Sequence, residues 1–215
     1  MRTRQQAMRQ SFLGSIDFPV QAEVLEVGCG TGVLARVLAR WPKVGRVVGV
    51  DPATSLIQRA RALADGIANL VFEEADARSL PFRDGVFDVA VFDSTLSHVP
   101  GVEQALEQAR RVLRPAGCLA VFDGDYATTT VAITDHDPMR ACVSAMMASS
   151  VNDRRVMRRL PALLGKHGFE VVDFRSHWLC GYGGRQLHAV RPRSGRRHPE
   201  RIRRDRRRDR RGTQG

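Results

Sequence analysis

Lysine is nearly missing from this chain of 215 residues: among 34 basic residues only Lys43 and Lys166 are not arginine. Cysteine is scarce and scattered. Cys29, Cys118, Cys142 and Cys180 form no CxxC pair, so zinc-ribbon and thioredoxin-like sites lack support. Free thiols in a reducing compartment are the expectation. No apolar run approaches the ~20 residues that a bilayer span requires. Residues Met1–Gln6 lead into a short amphipathic stretch without the apolar core of a secretory signal, and a cytoplasmic location is expected. The last stretch of the chain, Arg185–Gly215, has no aromatic side chain, and so lacks the usual platform for stacking bases.

What is there is unevenly spread. Arg185–Gly215 holds 13 arginines against Glu200, Asp205 and Asp209, a net +10 out of +11 for the whole chain. The remaining body is close to neutral, and an apolar fraction of 43% is ordinary for a globular protein. Only Leu187, Ala189, Val190 and Ile202 offer apolar packing after residue 184. Such a segment buries too little surface to offset its ordering entropy. The expected organisation is a folded domain over 1–180 and an Arg-rich, disordered tail over 181–215.

Along the body, strand and helix patterns alternate. Helices are expected over Arg4–Phe12, Val33–Trp41, Ser55–Ala64, Val102–Leu113, Pro138–Met157 and Leu160–His167. Strands are expected over Glu23–Val27, Arg46–Asp51, Leu70–Glu74, Phe87–Phe92, Cys118–Phe122 and Phe169–Phe174, with Arg114–Gly117 as a turn before the fifth. The alternation predicts an α/β fold, a Rossmann-like, doubly wound, mostly parallel sheet whose ligands sit beyond the carboxyl ends of the strands. Met139, Met146, Met147 and Met157 in the fifth helical stretch read either as core filler or as the wall of an adaptable pocket.

The chain turns on Val24–Gly32, where an apolar strand breaks into Gly28, Gly30 and Gly32 and a helical run follows. A strand, a tight glycine turn and a helix open a nucleotide-type pocket. Val33 stands where a dinucleotide fingerprint places its third glycine, and Asp51 follows Gly32 by nineteen positions. A carboxylate there can accept from both hydroxyls of a ribose.

Glu26-x-Gly28-x-Gly30-x-Gly32, Asp51, Asp76-Ala77 before Leu80-Pro81-Phe82, Phe87-Asp88, and Arg111-Val112-Leu113-Arg114-Pro115-x-Gly117 occur in that order. In these motifs the chain resembles the class I S-adenosylmethionine-dependent methyltransferases, within them the type 11 small-molecule group. The likeness covers about Gln21 to Tyr126 strongly and the region to about Trp178 loosely. It implies S-adenosyl-L-methionine as cofactor and methyl transfer to an O, N or C atom of a small-molecule acceptor. The backbone of Gly28, Cys29 and Gly30 would lie against the methionine part, with Gly32 completing the turn and Glu26 bracing it. Asp51 would hold the ribose, Pro52 and Ala53 would flank the adenine, and Asp76 beside Ala77 would accept from its amine. Asp93 and Ser94 would lie near the sulfonium.

A sulfonium methyl is already activated, so the enzyme chiefly needs to align the acceptor, which is worth about 7–11 kcal/mol. A general base adds about 10²–10⁴-fold where a proton must leave. His98 is the candidate catalytic base, with local packing or hydrogen bonding as the competing role. Asp123, Asp125 and Tyr126 are candidate acceptor contacts. With Asp135, His136 and Asp137 they have no recognised metal-ligand spacing, and no metal is assigned. The place of an Asn-Pro-Pro-Tyr base-methylation motif is taken by Asp93-Ser94-Thr95-Leu96. Cys118 has no partner cysteine near the fourth strand for RNA cytosine chemistry.

The tail supports two alternatives. One is an RNA-binding methyltransferase that uses the basic arm on phosphates. The other is a cofactor-binding remnant, inactivated by a truncated or frame-shifted C-terminus. The family sheet carries a seventh strand, for which Leu187–Val190 is a poor substitute, and abrupt arginine enrichment is what a shifted frame in GC-rich DNA produces. Re-reading the gene after about Gly181 in the other frames tests this, and absence of an apolar strand there would sink it.

Overall fold

The computed structural model describes residues 4–129, 139–177, 181–182 and 185–186. The chain divides into two compact units, Met1–Arg175 and Ser176–Gly215. The first contains five parallel strands, β1 (Ala22–Val27), β2 (Val44–Asp51), β3 (Leu70–Glu74), β4 (Phe87–Asp93) and β5 (Leu113–Phe122), in the order β3-β2-β1-β4-β5. In the second, Gly181–Tyr182 pairs antiparallel with Arg185–Gln186. The predicted seventh-strand substitute Leu187–Val190 and nearly all of the Arg-rich tail lie outside the described residues.

Strand periodicity explains why the sheet is covered on both faces. Along β1, Val24 belongs to one apolar cluster and Leu25 and Val27 to the other, because successive side chains point to opposite faces. Helices α1 (Arg4–Gly14), α2 (Val33–Leu38) and α3 (Thr54–Leu63) supply Leu13, Leu34, Leu38 and Ile57 to the first face. Helix α4 (Val102–Val112) and helix α6 (Val156–Lys166) cover the second. In α4 the buried residues Val102, Ala105, Leu106, Ala109 and Val112 form one stripe, the 3.6-residue pattern of a helix packed on one side. Strand order reverses between β1 and β4, which opens a crevice at their carboxyl ends.

Four expectations are corrected. The predicted helix over Val33–Trp41 ends at Leu38, and its last residues close as turns through Arg40 N–H to Val37 O and Trp41 N–H to Leu38 O. Arg114–Gly117 lies inside β5 as an irregularity: Leu113 opposes Phe87 and Cys118 opposes Val89, with Ala116 at φ 63°. The long helix expected over Pro138–Met157 is two helices, α5 (Arg140–Ser150) and α6, separated by Val151–Arg155. The Asp153 carboxylate accepts from Arg155 N–H, and Asp153 N–H donates to Ser97 O, so these backbone groups are satisfied outside a helix.

The expected sixth strand, Phe169–Phe174, does not form: residues 169–177 are irregular, with Val172 and Phe174 exposed. A strand-like sequence needs a ladder partner to become a strand. Among the described residues, β5 pairs with β4 alone.

Candidate functional site

The crevice between β1 and β4 begins with the glycine turn. Gly28 N–H and Cys29 N–H both donate to Val50 O, at 2.8 and 2.9 Å, so the loop is tied to the end of β2. A Cβ at Gly28 would stand 2.3 Å from the Thr95 side chain. That contact holds the turn against the loop after β4. Gly30 is the opposite case: its φ is +52° and nothing lies within 4 Å of a built Cβ. Its backbone faces open space and allows close approach of a ligand. Gly32, at φ 70°, caps α2. Cys29 is buried, and burial pushes its thiol far up, with Glu26 and Asp51 adding to the effect. It is a small protonated filler, not a nucleophile.

Asp51 ends β2 and is 8% exposed. One carboxylate oxygen accepts from Gly30 N–H at 2.9 Å and the other from Ala53 N–H at 3.0 Å. It therefore fixes the open turn while each oxygen keeps a further lone pair. Pro52 beside it is exposed and Ala77 is buried. Asp76 is engaged by Arg78, whose Nη2 lies at 2.6 Å and whose backbone N–H donates at 2.8 Å. Those hydrogen bonds hold its carboxyl below the usual range. An adenine amine there would have to share Asp76 with Arg78.

Glu26 points to the same face as Val24, toward the first turn of α2, where it accepts from Ala35 N–H. It is 3% exposed, and its Oε2 has no hydrogen-bond partner. Burial, and secondly the Asp93 carboxylate, push its pKa up to about 8. Asp93, at the end of β4, is clamped by Arg9 of α1, with Nε at 2.6 Å and Nη2 at 3.1 Å. Ser94 Oγ donates to Asp93 at 3.0 Å. Ser94 has φ 56°, a left-handed conformation that costs a non-glycine residue about 1–3 kcal/mol and tends to persist at functional sites. The two carboxyl groups beside the open turn are thus Glu26, with one unpartnered buried oxygen, and Asp93, already paired with Arg9. This donor set suits the ammonium of a methionine moiety, and Asp51 suits a ribose.

Beyond Asp93 the chain forms a second polar knot. Asp123 accepts from Ser97 N–H at 2.9 Å, Ser97 Oγ at 3.1 Å and Gly124 N–H at 2.7 Å. Tyr126 shares a hydrogen bond with Ser97, and burial followed by Asp123 raises its hydroxyl pKa. His98 is exposed; its Nδ1 lies 2.9 Å from Ser150 O, and its ring is 6.1 Å from that of Tyr126. A carbonyl only accepts, so Nδ1 carries a proton. Asp125 is paired with Arg158 at 2.7 Å and accepts from Ala127 N–H.

The structure thus brings Glu26, Gly28, Cys29, Gly30, Asp51, Asp93 and Ser94 around one crevice, with His98 at its margin. Arg9 and Thr95 were missed by sequence reading. A lone arginine in a short N-terminal helix carries no motif, and Thr95 shows its role only through its contact with Gly28. No helix among the described residues is long and apolar enough to cross a membrane.

Comparison with known proteins agrees with this geometry. The family described as "Methyltransferase domain" matches residues 25–121. Methyltransferase GfsG of Streptomyces halstedii is 31% identical over 77% of this chain and 59% of its own length. The 2-phytyl-1,4-naphtoquinone methyltransferase of Thermosynechococcus vestitus is 32% identical over 57% of this chain and 55% of its own. The 27-O-demethylrifamycin SV methyltransferase of Amycolatopsis mediterranei is 41% identical over 46% and 38%. This chain spans about half the length of the curated relatives it matches. An S-adenosylmethionine-dependent methyltransferase of Mesorhizobium loti shares the fold, at a TM-score of 0.60 and 20% identity over 75% of this chain and 80% of that one. The [4+2]-cyclase SpnF is also similar, at a TM-score of 0.63 and 25% identity over 79% of this chain and 59% of that one. Over residues 25–121 the chain thus matches the methyltransferase domain family, the type 11 group of the class I S-adenosylmethionine-dependent methyltransferases.

Proposed function

We propose that the chain transfers a methyl group from S-adenosylmethionine to an O, N or C atom of a small-molecule acceptor. The observation that carries this reading is the buried Asp51 carboxylate bonded to Gly30 N–H and Ala53 N–H beside a turn with open space at Gly30. When bound, the cofactor supplies a methyl on a sulfonium, whose sulfur leaves with the bonding electron pair as a neutral thioether. The chain's own part is placement. Asp51 binds the ribose hydroxyls, Gly28 to Gly30 present backbone to the methionine portion, and Glu26 with Asp93 holds its ammonium. Pro52, Asp76 and Ala77 border the adenine. Asp93 and Ser94 mark where the acceptor must arrive. His98 Nε2 takes a proton from acceptors that must lose one.

Relatives named for a naphthoquinone and for a rifamycin act on small molecules by their names, which supports an acceptor of that kind. A similar fold belongs to a cyclase, and fold alone does not choose the reaction. Two measurements on the full chain therefore decide. Calorimetry with S-adenosylmethionine should show binding that Asp51→Ala weakens at least tenfold, about 1.4 kcal/mol; unchanged affinity in the variant overturns the site. Label from a methyl-labelled cofactor should appear in an extract of small molecules, and binding without any transfer overturns the reaction.

A further inference from the structure

We propose that a cavity of about 300 Å³ between the turn Tyr126–Thr128 and α5 binds an anionic group of the methyl acceptor, a carboxylate or a phosphate. The inference rests on the methyltransferase reading above and names the class of its substrate. Tyr126, Arg140, Ser144, Met147, Arg154 and Arg155 line the cavity, and no carboxylate does so among the described residues. Three arginines thus contribute to one lining. A cleft lined by charge of one sign focuses its field on ions of the opposite sign, and the guanidinium fork matches a carboxylate or phosphate with paired hydrogen bonds.

The nearby acids among the described residues are already committed. Asp125 pairs with Arg158 and Asp153 with Arg159. Arg154 donates to Ser144 O and Oγ through Nη1 alone, which orients the guanidinium and leaves its other nitrogens free to donate. Among the described residues the Arg140 and Arg155 side chains make no hydrogen bond or ion pair; Arg155 donates only through its backbone N–H, to Asp153. Positive groups with no counter-charge among the described residues repel one another, and an oxyanion relieves that cost.

Position links the cavity to the reaction. Tyr126 lines the cavity on one side. On the other it meets His98 ring to ring and hydrogen-bonds Ser97, whose neighbours lead to Asp93 at the end of β4. Val143 and Met147 add apolar wall. An acceptor anchored by its anion among the arginines would lay its body along Met147 and Tyr126 toward His98. The volume is at the small end of ligand pockets, roughly 300–1,000 Å³, which favours a small acid over a polymer.

The test uses ligand-observed NMR on the full chain at 150 mM salt, with benzoate, phenyl phosphate and the neutral benzamide as probes. Benzoate or phenyl phosphate should bind at least tenfold more tightly than benzamide, and the better of the two identifies the anion class. Arg140→Ala and Arg154→Ala should each weaken that anion at least fivefold while calorimetric affinity for S-adenosylmethionine stays within twofold. Anion binding through the 13 tail arginines would be blind to these substitutions, so unchanged affinity in both variants overturns the proposal. Equal binding of benzamide overturns it too, as does an RNA oligonucleotide that displaces the probes and is itself held by Arg140. Loss of S-adenosylmethionine binding in the wild-type chain would refute the methyltransferase reading, whereas cofactor binding without anion binding refutes this inference alone.

Discussion

Glu26 is the residue on which charge and fold meet most directly. Its ordinary carboxyl pKa is 4.5, and burial beside Asp93 raises it to about 8 in the folded chain. The unfolded chain therefore binds fewer protons between those values, and stability falls as pH rises through that window, at up to about 1.4 kcal/mol per unit. Glu26→Gln keeps an oxygen for Ala35 N–H and removes the titration. Its melting temperature should lose the wild-type decline between pH 5 and pH 8.5; a variant that declines in parallel would show that Glu26 is not the group. A bound ammonium reverses the balance by favouring the ionised carboxylate. Cofactor affinity should accordingly climb toward pH 8 with release of a proton, visible in calorimetry as a dependence on buffer ionisation heat, and Glu26→Gln should abolish that release.

At the scale of elements, Arg111 near the end of α4 holds the loop before β4. It donates to Phe82 O at 2.6 Å and Leu80 O at 2.8 Å, and meets Asp84 and Gln108. Arg111→Ala leaves two carbonyls of a partly buried loop without this donor, and urea unfolding should show a loss of about 1–3 kcal/mol. An unchanged midpoint would mean that water replaces the guanidinium without cost. The elements up to β5 were legible because each strand couples β-branched residues to an acidic or glycine stop, as in Val47–Asp51. Downstream, local pattern misled. Phe169–Phe174 has the β-branched and aromatic composition of a strand, yet pairing is a long-range property that local sequence cannot report. The break at Val151–Arg155 was hidden for a similar reason, since its backbone partners, Ser97 and Val99, lie over fifty residues away. The glycine turn, Asp51 and Asp93 were readable as a motif; the Arg9 clamp on Asp93 was not, because it depends on how α1 packs.

Across the whole molecule, charge and chemistry belong to different stretches. The nearly neutral body holds the crevice, and +10 resides in Arg185–Gly215. We propose that this arm is dispensable for the site. Deleting residues 185–215 should leave S-adenosylmethionine affinity within twofold and remove most salt-sensitive retention on heparin; a tenfold loss of cofactor affinity would show that the tail supports the fold.

The bolting of Val151–Arg155 to the loop after β4 carries α5 from outside the core. His98 holds Ser150 O, Ser97 O receives Asp153 N–H, and Asn152 reaches Val99 O, while only Val143 of α5 is buried. The helix is thus hung from a fixed bracket and owes little to the core. Apart from Val143, substitutions along its eleven positions should therefore alter the surface it presents while costing the sheet little stability.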